Sequence, residues 1–115
     1  MSGCIFCRIA RGEMKAELLA RSEGLVAFRD INPKAPVHVL IVPEEHVESS
    51  DRLEGDGHER LAGRMVMLAA EVARKLGVAE GGYRLVMNCG ADGGQAVPHI
   101  HLHLLGGRSL SWPPG

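Results

Sequence analysis

The sequence of 115 residues has few aromatic side chains and no excess of basic ones. Phe, Trp and Tyr make up 3% of the chain, so the stacking platforms that bind single-stranded nucleic acid are not expected. The 13 Lys and Arg residues are balanced by 14 Asp and Glu residues. Proteins that bind duplex nucleic acid carry clustered positive charge instead. We therefore expect no nucleic-acid partner.

Long apolar runs and a disulfide pattern are also lacking. No stretch is long enough to span a bilayer, and no basic segment followed by an apolar run stands at the N-terminus. The three cysteines are odd in number, and two of them, Cys4 and Cys7, lie close together in "CIFC", which does not favour a disulfide framework. We expect a cytoplasmic protein without a membrane partner. Its length predicts a single domain, residues 1–115, with an ordinary apolar core.

The apolar pattern predicts two helices and four strands. Residues in "CIFCRIARGE" have the spacing of a short helix, and Leu61, Met65, Leu68, Val72 and Leu76 that of a long amphipathic helix ending at Gly77. The predicted strands are "LVAFRD", "VHVLIVP", "YRLVMN" and "HIHLHLLG". This order, with short connections, favours an α+β fold in which a helix covers one face of a mainly antiparallel sheet.

Three histidines, His99, His101 and His103, alternate with apolar residues in the last predicted strand. In a strand they would project from one face, about 6.6 Å apart. A neutral imidazole can be a nucleophile, a protonated one can donate to a leaving group, and either nitrogen can serve a metal. His38 begins another apolar strand, and the pattern leaves open whether it is structural or functional. His58 is expected to be an exposed residue at a helix start.

A glycine-rich loop, "NCGADGGQAVPH", directly precedes these histidines. Glycines allow positive φ and a close approach to a ligand, so that N–H groups can converge on a phosphate. Most such loops are only turns, but amide donors next to imidazoles suit a phosphorus centre. The loop lacks a P-loop lysine and an acidic cluster for magnesium. We expect any phosphorus chemistry here to proceed without a divalent ion.

Four segments together resemble the histidine triad (HIT) superfamily, and within it the Hint branch of purine nucleoside phosphoramidases. These segments are "CIFCRIARGE", "AFRDINPKAPVHVLIVP", "GYRLVMNCGADGGQAVPHIHLHLLGGR" and the terminal "WPPG". The resemblance implies a HIT-like fold, with a five-stranded antiparallel sheet, one long helix and one short one. It also implies a homodimer formed across a continuous sheet.

The activity that the resemblance implies is hydrolysis of purine nucleoside 5'-phosphoramidates and acyl-adenylates at the α-phosphorus. His101 would be the nucleophile and would form a nucleotidyl-histidine that water hydrolyses, with no cofactor required. His103 would contact the phosphate and assist the leaving group. His38 would orient and polarise His101, and His99 would help to fix the arrangement.

The same resemblance implies a purine nucleotide site. Asp30 would take the ribose hydroxyls, while Ile31 and Phe6 would wall the base. The ribose and phosphate positions would be lined, largely by backbone donors, by Asn88, Gly94, Gln95 and Ala96. Trp112 would reach toward the partner subunit's site or simply cover the dimer surface.

Two residues depart from the Hint pattern. Ala96 stands where a serine is usual, whose hydroxyl helps to relay a proton to the leaving amine. This departure puts the turnover rate in question more than the reaction type. Pro98 stands where an aromatic residue is common, and it removes one backbone donor at the entry to the triad.

Cys4 and Cys7 have the spacing of two zinc thiolates, but no second Cys-x-x-Cys is present. His46 and His99 are the best candidates to complete a tetrahedron, and some bacterial triad proteins resemble this pattern. The sequence leaves open whether the pair binds a structural zinc or remains two reduced thiols. Cys89 is expected to have no role.

The residues also leave other functions open. A metallohydrolase would use His99, His101, His103 and His38 as zinc ligands, although the first and third would lie about 13 Å apart along a strand. A non-catalytic nucleotide-binding or adaptor protein would not need a nucleophile at position 101. A dinucleoside-polyphosphate hydrolase would share the triad.

Overall fold

The computed structural model describes residues 3–115. It has five strands and two helices, which confirms the α+β fold. The helices are α1 (Ile5–Ala10) and α2 (Gly55–Lys75), with one turn of 3-10 helix at Ser50–Arg52, and the strands are β1 (Leu18–Ser22), β2 (Leu25–Arg29), β3 (Val37–Pro43), β4 (Tyr83–Val86) and β5 (Leu102–Gly106). None of the helices in this part of the chain is long and apolar enough to cross a membrane.

The strands form one antiparallel sheet in the order β1-β2-β3-β5-β4. The pattern of apolar residues alone predicted four of them and missed β1. This strand lies at an edge, and its residues are exposed or only half-buried. It therefore lacks the alternation that marks a strand with one buried face.

Alternation along β2 and β3 supplies a core on each face of the sheet. On one face, Leu25, Ala27, Val39 and Ile41 pack with the apolar stripe of α2. On the other face, α1 covers part of the same strands, and the residues in contact there are Phe6, Ile9, Ala10, Val26, Phe28, Leu40 and Val42. The sheet is thus covered on two faces, not on one as predicted, because α1 buries its own apolar residues.

The same alternation places two histidines beside α1. His38 shares the α1 face of β3 with Leu40, and Leu40 pairs directly with His103 on β5. His38 is therefore a diagonal neighbour of His103 across the two central strands.

The segment before β5 departs from the predicted strand. The ladder begins at Leu102, so that of the three alternating histidines only His103 lies in it. The Ile100 N–H donates to the carbonyl of Val47 instead, at 2.6 Å. Pro98 has no N–H to donate. Strand pairing therefore does not fix the directions of the His99 and His101 rings.

Candidate active site

Two of the triad histidines lie side by side, and the third does not join them. The ring centroids of His101 and His103 are 5.0 Å apart, and Phe6 packs edge-on against His101 at 5.0 Å. The ring of His99 lies instead against His46, with centroids 5.0 Å apart. The triad is thus divided between two neighbouring sites.

The ring of His101 is held by the main chain. Its Nδ1 lies 2.7 Å from the carbonyl oxygen of His99, which can only accept a hydrogen bond. Nδ1 therefore carries the proton, and in the neutral ring the lone pair is on Nε2. This is the tautomer that a nucleophilic histidine needs.

A hydrogen-bonded chain fixes the tautomer of His103. The Lys34 N–H donates to His38 Nδ1 at 3.0 Å, so His38 carries its proton on Nε2. That N–H lies 2.9 Å from His103 Nδ1 and 3.4 Å from an Asp30 carboxylate oxygen. His103 consequently presents Nε2–H, which is buried and has no partner among residues 3–115. His38 acts on His103, and not on His101 as expected.

Burial lowers the pKa of both histidines in this chain. The pKa of His103 falls to about 4, because of burial first and then of the neighbouring His101 and His38 rings. Burial also lowers the pKa of His38, against the opposing effect of the Asp30 carboxylate. Both rings are therefore neutral at pH 7, and each donates through one N–H.

A cavity of about 300 Å³ opens beside His101 and His103. Six of the predicted site residues line this cavity, namely Phe6, Asp30, Ile31, Ala96, His101 and His103. Although Ile31 lines the cavity, the residue is 91% exposed to solvent. The remaining wall, which the sequence analysis missed, consists of Ile5, Ile9, Met14, Lys15, Ala16, Phe28, Arg29, Leu40 and Val97. Phe28 was predictable, since it precedes Asp30 by two residues and so shares its face of the strand.

The glycine-rich loop is shaped differently from the phosphate cradle expected of it. The Gly94 and Gln95 N–H groups donate to loop carbonyls, and the Gln95 side chain bonds to Gly90 N, Glu48 O and Val97 O. Gln95 thus ties the loop together, and neither it nor Gly94 lines the cavity. Ala96 does line it, and its N–H makes no backbone hydrogen bond in the described part of the chain.

Glycine is required within this loop at Gly93. A Cβ there would lie 2.4 Å from the carbonyl oxygen of Cys89, which is much closer than real contacts allow. Gly94 adopts φ +80°, which also favours glycine.

Cys4, Cys7, His46 and His99 converge on a second site. Their donor atoms all lie within 4.8 Å of one another. His99 Nδ1 is 3.3 Å from Cys4 Sγ, 3.5 Å from Cys7 Sγ and 3.1 Å from His46 Nδ1. Tetrahedral zinc with ordinary bond lengths separates S and N ligands by about 3.5 Å and two N ligands by about 3.3 Å. The donor set and its spacing therefore fit zinc.

Hydrogen bonding prepares His99 for this role. Its Nε2 lies 2.9 Å from the Pro43 carbonyl, so the proton is on Nε2 and the Nδ1 lone pair faces the thiols. Burial, together with the nearby Cys4, raises the pKa of the Cys7 thiol. The raised pKa disfavours the Cys7 thiolate, and a bound cation would offset this effect by favouring the thiolate.

The four-histidine zinc site of a metallohydrolase does not form. In residues 3–115 two groups have donor atoms close enough for a metal, and His101 belongs to neither. The second group is Asp30, His38 and His103. There His38 offers an N–H and not a lone pair, because Lys34 N–H occupies its other nitrogen.

Other predicted residues lie outside the cavity. Trp112 is 80% exposed in the C-terminal segment, and Asn88 is half-buried after β4. His58 is half-buried at the start of α2, where it contacts Glu45 and the Glu54 N–H. Cys89 is exposed on the glycine-rich loop.

Comparison with known proteins decides the family. The model of the HIT domain matches residues 11–110, which is most of the chain. The chain belongs to the HIT domain family. This HIT protein is 45% identical over 106 residues to the purine nucleoside phosphoramidase of Escherichia coli K12, covering 92% of this chain and 88% of that one.

Solved structures of HIT proteins have the same fold. A HIT family hydrolase from Legionella pneumophila Philadelphia 1 has a TM-score of 0.94 and 45% identity, covering 98% of this chain and 100% of that one. A histidine triad protein from Clostridium difficile has a TM-score of 0.92 and 36% identity, covering 96% of each chain.

Proposed function

We propose that this HIT protein hydrolyses purine nucleoside 5'-phosphoramidates and acyl-adenylates through a nucleotidyl-His101 intermediate. The observation that carries the proposal is the pairing of two complementary groups at one cavity. Within residues 3–115, His101 has a free Nε2 lone pair, and His103 has an unpartnered Nε2–H. The family and the similarity to a purine nucleoside phosphoramidase support this assignment.

In the first step, His101 Nε2 attacks the α-phosphorus and the P–N bond to the leaving amine breaks. The negative phosphoryl group beside His103 favours uptake of a proton by the His38–His103 pair. That proton passes to the leaving amine. With an acyl-adenylate, the P–O bond breaks and the carboxylate leaves without a proton.

In the second step, water attacks phosphorus and the bond to His101 Nε2 breaks. The proton lost by water returns to the histidine pair and then to solvent. The products are the free amine and the nucleoside monophosphate. Each histidine regains its starting tautomer, because Lys34 N–H and the His99 carbonyl fix Nδ1 of His38 and His101.

The distribution of side chains along the cavity suits one orientation of a bound nucleotide. Its apolar wall, which includes Phe6, Phe28 and Ile31, suits a purine base, and Asp30 lies between that wall and the histidines. One Asp30 oxygen accepts the Asn32 N–H, which leaves the other for a ribose hydroxyl. The Ala96 N–H would donate to the phosphate.

We also propose a structural zinc ion and a homodimer. Cys4, Cys7, His46 and His99 would hold the zinc, which would cross-link α1 to the segment that carries His101 without contacting the substrate. The outer edge of β4 is free for pairing with a second copy, because β4 is the last strand of the sheet. Trp112 would then lie near the partner's cavity. Light scattering would test the homodimer by measuring the mass of the protein in solution.

The experiment that tests the function is intact-mass measurement after brief mixing with adenosine phosphoramidate. Wild-type protein should show a transient adduct of one nucleotidyl group. His101→Gly should show no adduct and no turnover, while nucleotide still binds. His58→Gln, which changes a histidine outside the cavity, should behave as wild type. Turnover by His101→Gly free of wild-type enzyme would overturn the proposal, and binding without any turnover by wild type would favour an adaptor protein.

A further inference from the structure

We propose that the Cys4–Cys7–His46–His99 site positions the nucleophile, so that ion binding there and nucleotide binding at His101 are thermodynamically coupled. The proposal rests on the proposed role of His101. His99 belongs to both sites, because its side chain faces the thiols while its carbonyl holds the His101 ring.

The side chain of His99 is fixed at both nitrogens. It is 0% exposed, its Nε2–H is bound to the Pro43 carbonyl, and its Nδ1 lies among the three other donor atoms. A change in the distances between these donors therefore moves the ring of His99, since no other space is open to it.

The main chain passes such a change on to His101. The segment 99–101 lies outside the β5 ladder, so the sheet does not fix it. It is anchored by the His99 ring, by the His99 N–H, which donates to the Val97 carbonyl, and by the Ile100 N–H, which donates to Val47, the residue next to His46. The 2.7 Å hydrogen bond from His101 Nδ1 to the His99 carbonyl then sets the direction of Nε2.

Helix α1 provides a second connection. Phe6 stands between the two cysteines in the chain and packs edge-on against both histidines, at 5.9 Å from His99 and 5.0 Å from His101. An ion that fixes Cys4 and Cys7 therefore also fixes the ring that supports the nucleophile.

We infer that zinc and nucleotide both favour the same arrangement of His99, so each raises the affinity of the other, and linkage requires the two factors to be equal. Bound nucleotide should therefore tighten zinc binding, by about tenfold. By the same reciprocity, zinc removal should weaken nucleotide binding by a similar factor. It should also lower kcat, because it disturbs the direction in which His101 attacks.

The test measures the zinc affinity of the full-length protein by competition with a chromophoric chelator, with and without saturating AMP. We expect AMP to raise the zinc affinity by about tenfold. Cys89→Ser, which removes the thiol outside the cluster, should retain the same zinc affinity and the same effect of AMP. An equal zinc affinity with and without AMP would overturn the proposal.

A second measurement does not depend on turnover or on AMP binding. In ¹⁵N spectra of the histidine rings, the His101 Nδ1–H should be protected from exchange in the zinc-loaded protein and exchange faster after chelation. An unchanged signal would overturn the coupling. Cys7→Ser should reproduce the chelated spectrum. A missing nucleotidyl adduct together with intact coupling would instead refute only the proposed function.

Discussion

At the scale of single residues, three of the histidine rings have their tautomers set by main-chain groups, and His103 takes its tautomer from His38. The Lys34 N–H, the Pro43 carbonyl and the His99 carbonyl fix His38, His99 and His101 respectively. Main-chain groups do not titrate, so the assignment holds across the range in which neutral imidazole is present. The rings of His38, His99 and His103 are sensitive to acid, because burial lowers the pKa of each.

Acid should destabilise the fold through His103. The unfolded chain binds this proton near pH 6.5, whereas the folded protein binds it only near pH 4. The unfolded state therefore holds more protons between these values, and the free energy of unfolding should fall by about 2 kcal/mol as pH decreases from 7 to 4. Urea unfolding with chelator present would measure this.

Comparison with a variant isolates the contribution of His103. His103→Gln should lose less stability between pH 7 and pH 4 than wild type does, since the titrating ring is gone. His58→Gln alters a histidine outside the cavity and serves as the matched control. Equal pH dependence in wild type and His103→Gln would contradict the assignment.

Ala96→Ser should preserve or raise kcat for substrates with amine leaving groups, by up to about tenfold. The added hydroxyl lies at the cavity beside the catalytic rings and can carry a proton to the amine. Ala16→Ser adds the same group to another part of the cavity wall and should leave kcat unchanged. Steady-state kinetics would decide, and a clear fall in kcat for Ala96→Ser would refute this role.

At the scale of elements, the sequence predicted α1, α2, β2, β3 and β4 from apolar runs or apolar periods. It also predicted β5, but with a start at His99, three residues before the observed one. It missed β1, whose edge position removes that period. It also placed His99 in a strand with His101. The alternation does not hold there, because the Ile100 N–H donates to the Val47 carbonyl and the His99 ring contacts the Cys4 thiol. The candidate metal ligands were predictable by residue type. The loop tie made by Gln95 was not, since it joins Gly90 and Val97 of its own loop to Glu48, which lies 47 positions away in the chain.

Gln95→Ala should loosen the glycine-rich loop. The substitution removes hydrogen bonds to Gly90, Glu48 and Val97, at a cost of about 1–2 kcal/mol in local stability. Amide exchange should rise over residues 90–97 and stay unchanged in α2, and kcat/KM should fall about tenfold. Gln95→Glu retains the acceptor for the Gly90 N–H, so its amide exchange and its kcat/KM should lie between those of wild type and Gln95→Ala. Wild-type exchange in Gln95→Ala would show that the tie is dispensable.

At the scale of the whole molecule, the two cores lie on opposite faces of the sheet, and the cavity belongs to the α1 side. Helix α1 has only six residues, so it needs an attachment beyond its own apolar contacts. The cysteine and histidine cluster provides one between the first and last parts of the chain.

Zinc removal should therefore lower the melting temperature. A ligand present at about 100 times its dissociation constant adds about 2.7 kcal/mol, which corresponds to about 10 °C for a domain of this size. Calorimetry with zinc and with chelator would measure the difference. Cys4→Ser should have the same melting temperature with zinc and with chelator. A wild-type melting temperature that does not change when chelator is added would contradict a zinc site.

The thiol of Cys4 and the ring of His99 meet although 95 positions separate them in the chain. Closing so long a loop carries an entropic cost that only the finished sheet can offset. During translation, α1 emerges before the segment that contains His99. Nascent chains that stop short of position 99 would thus lack both the histidines that line the cavity and a complete set of candidate metal ligands.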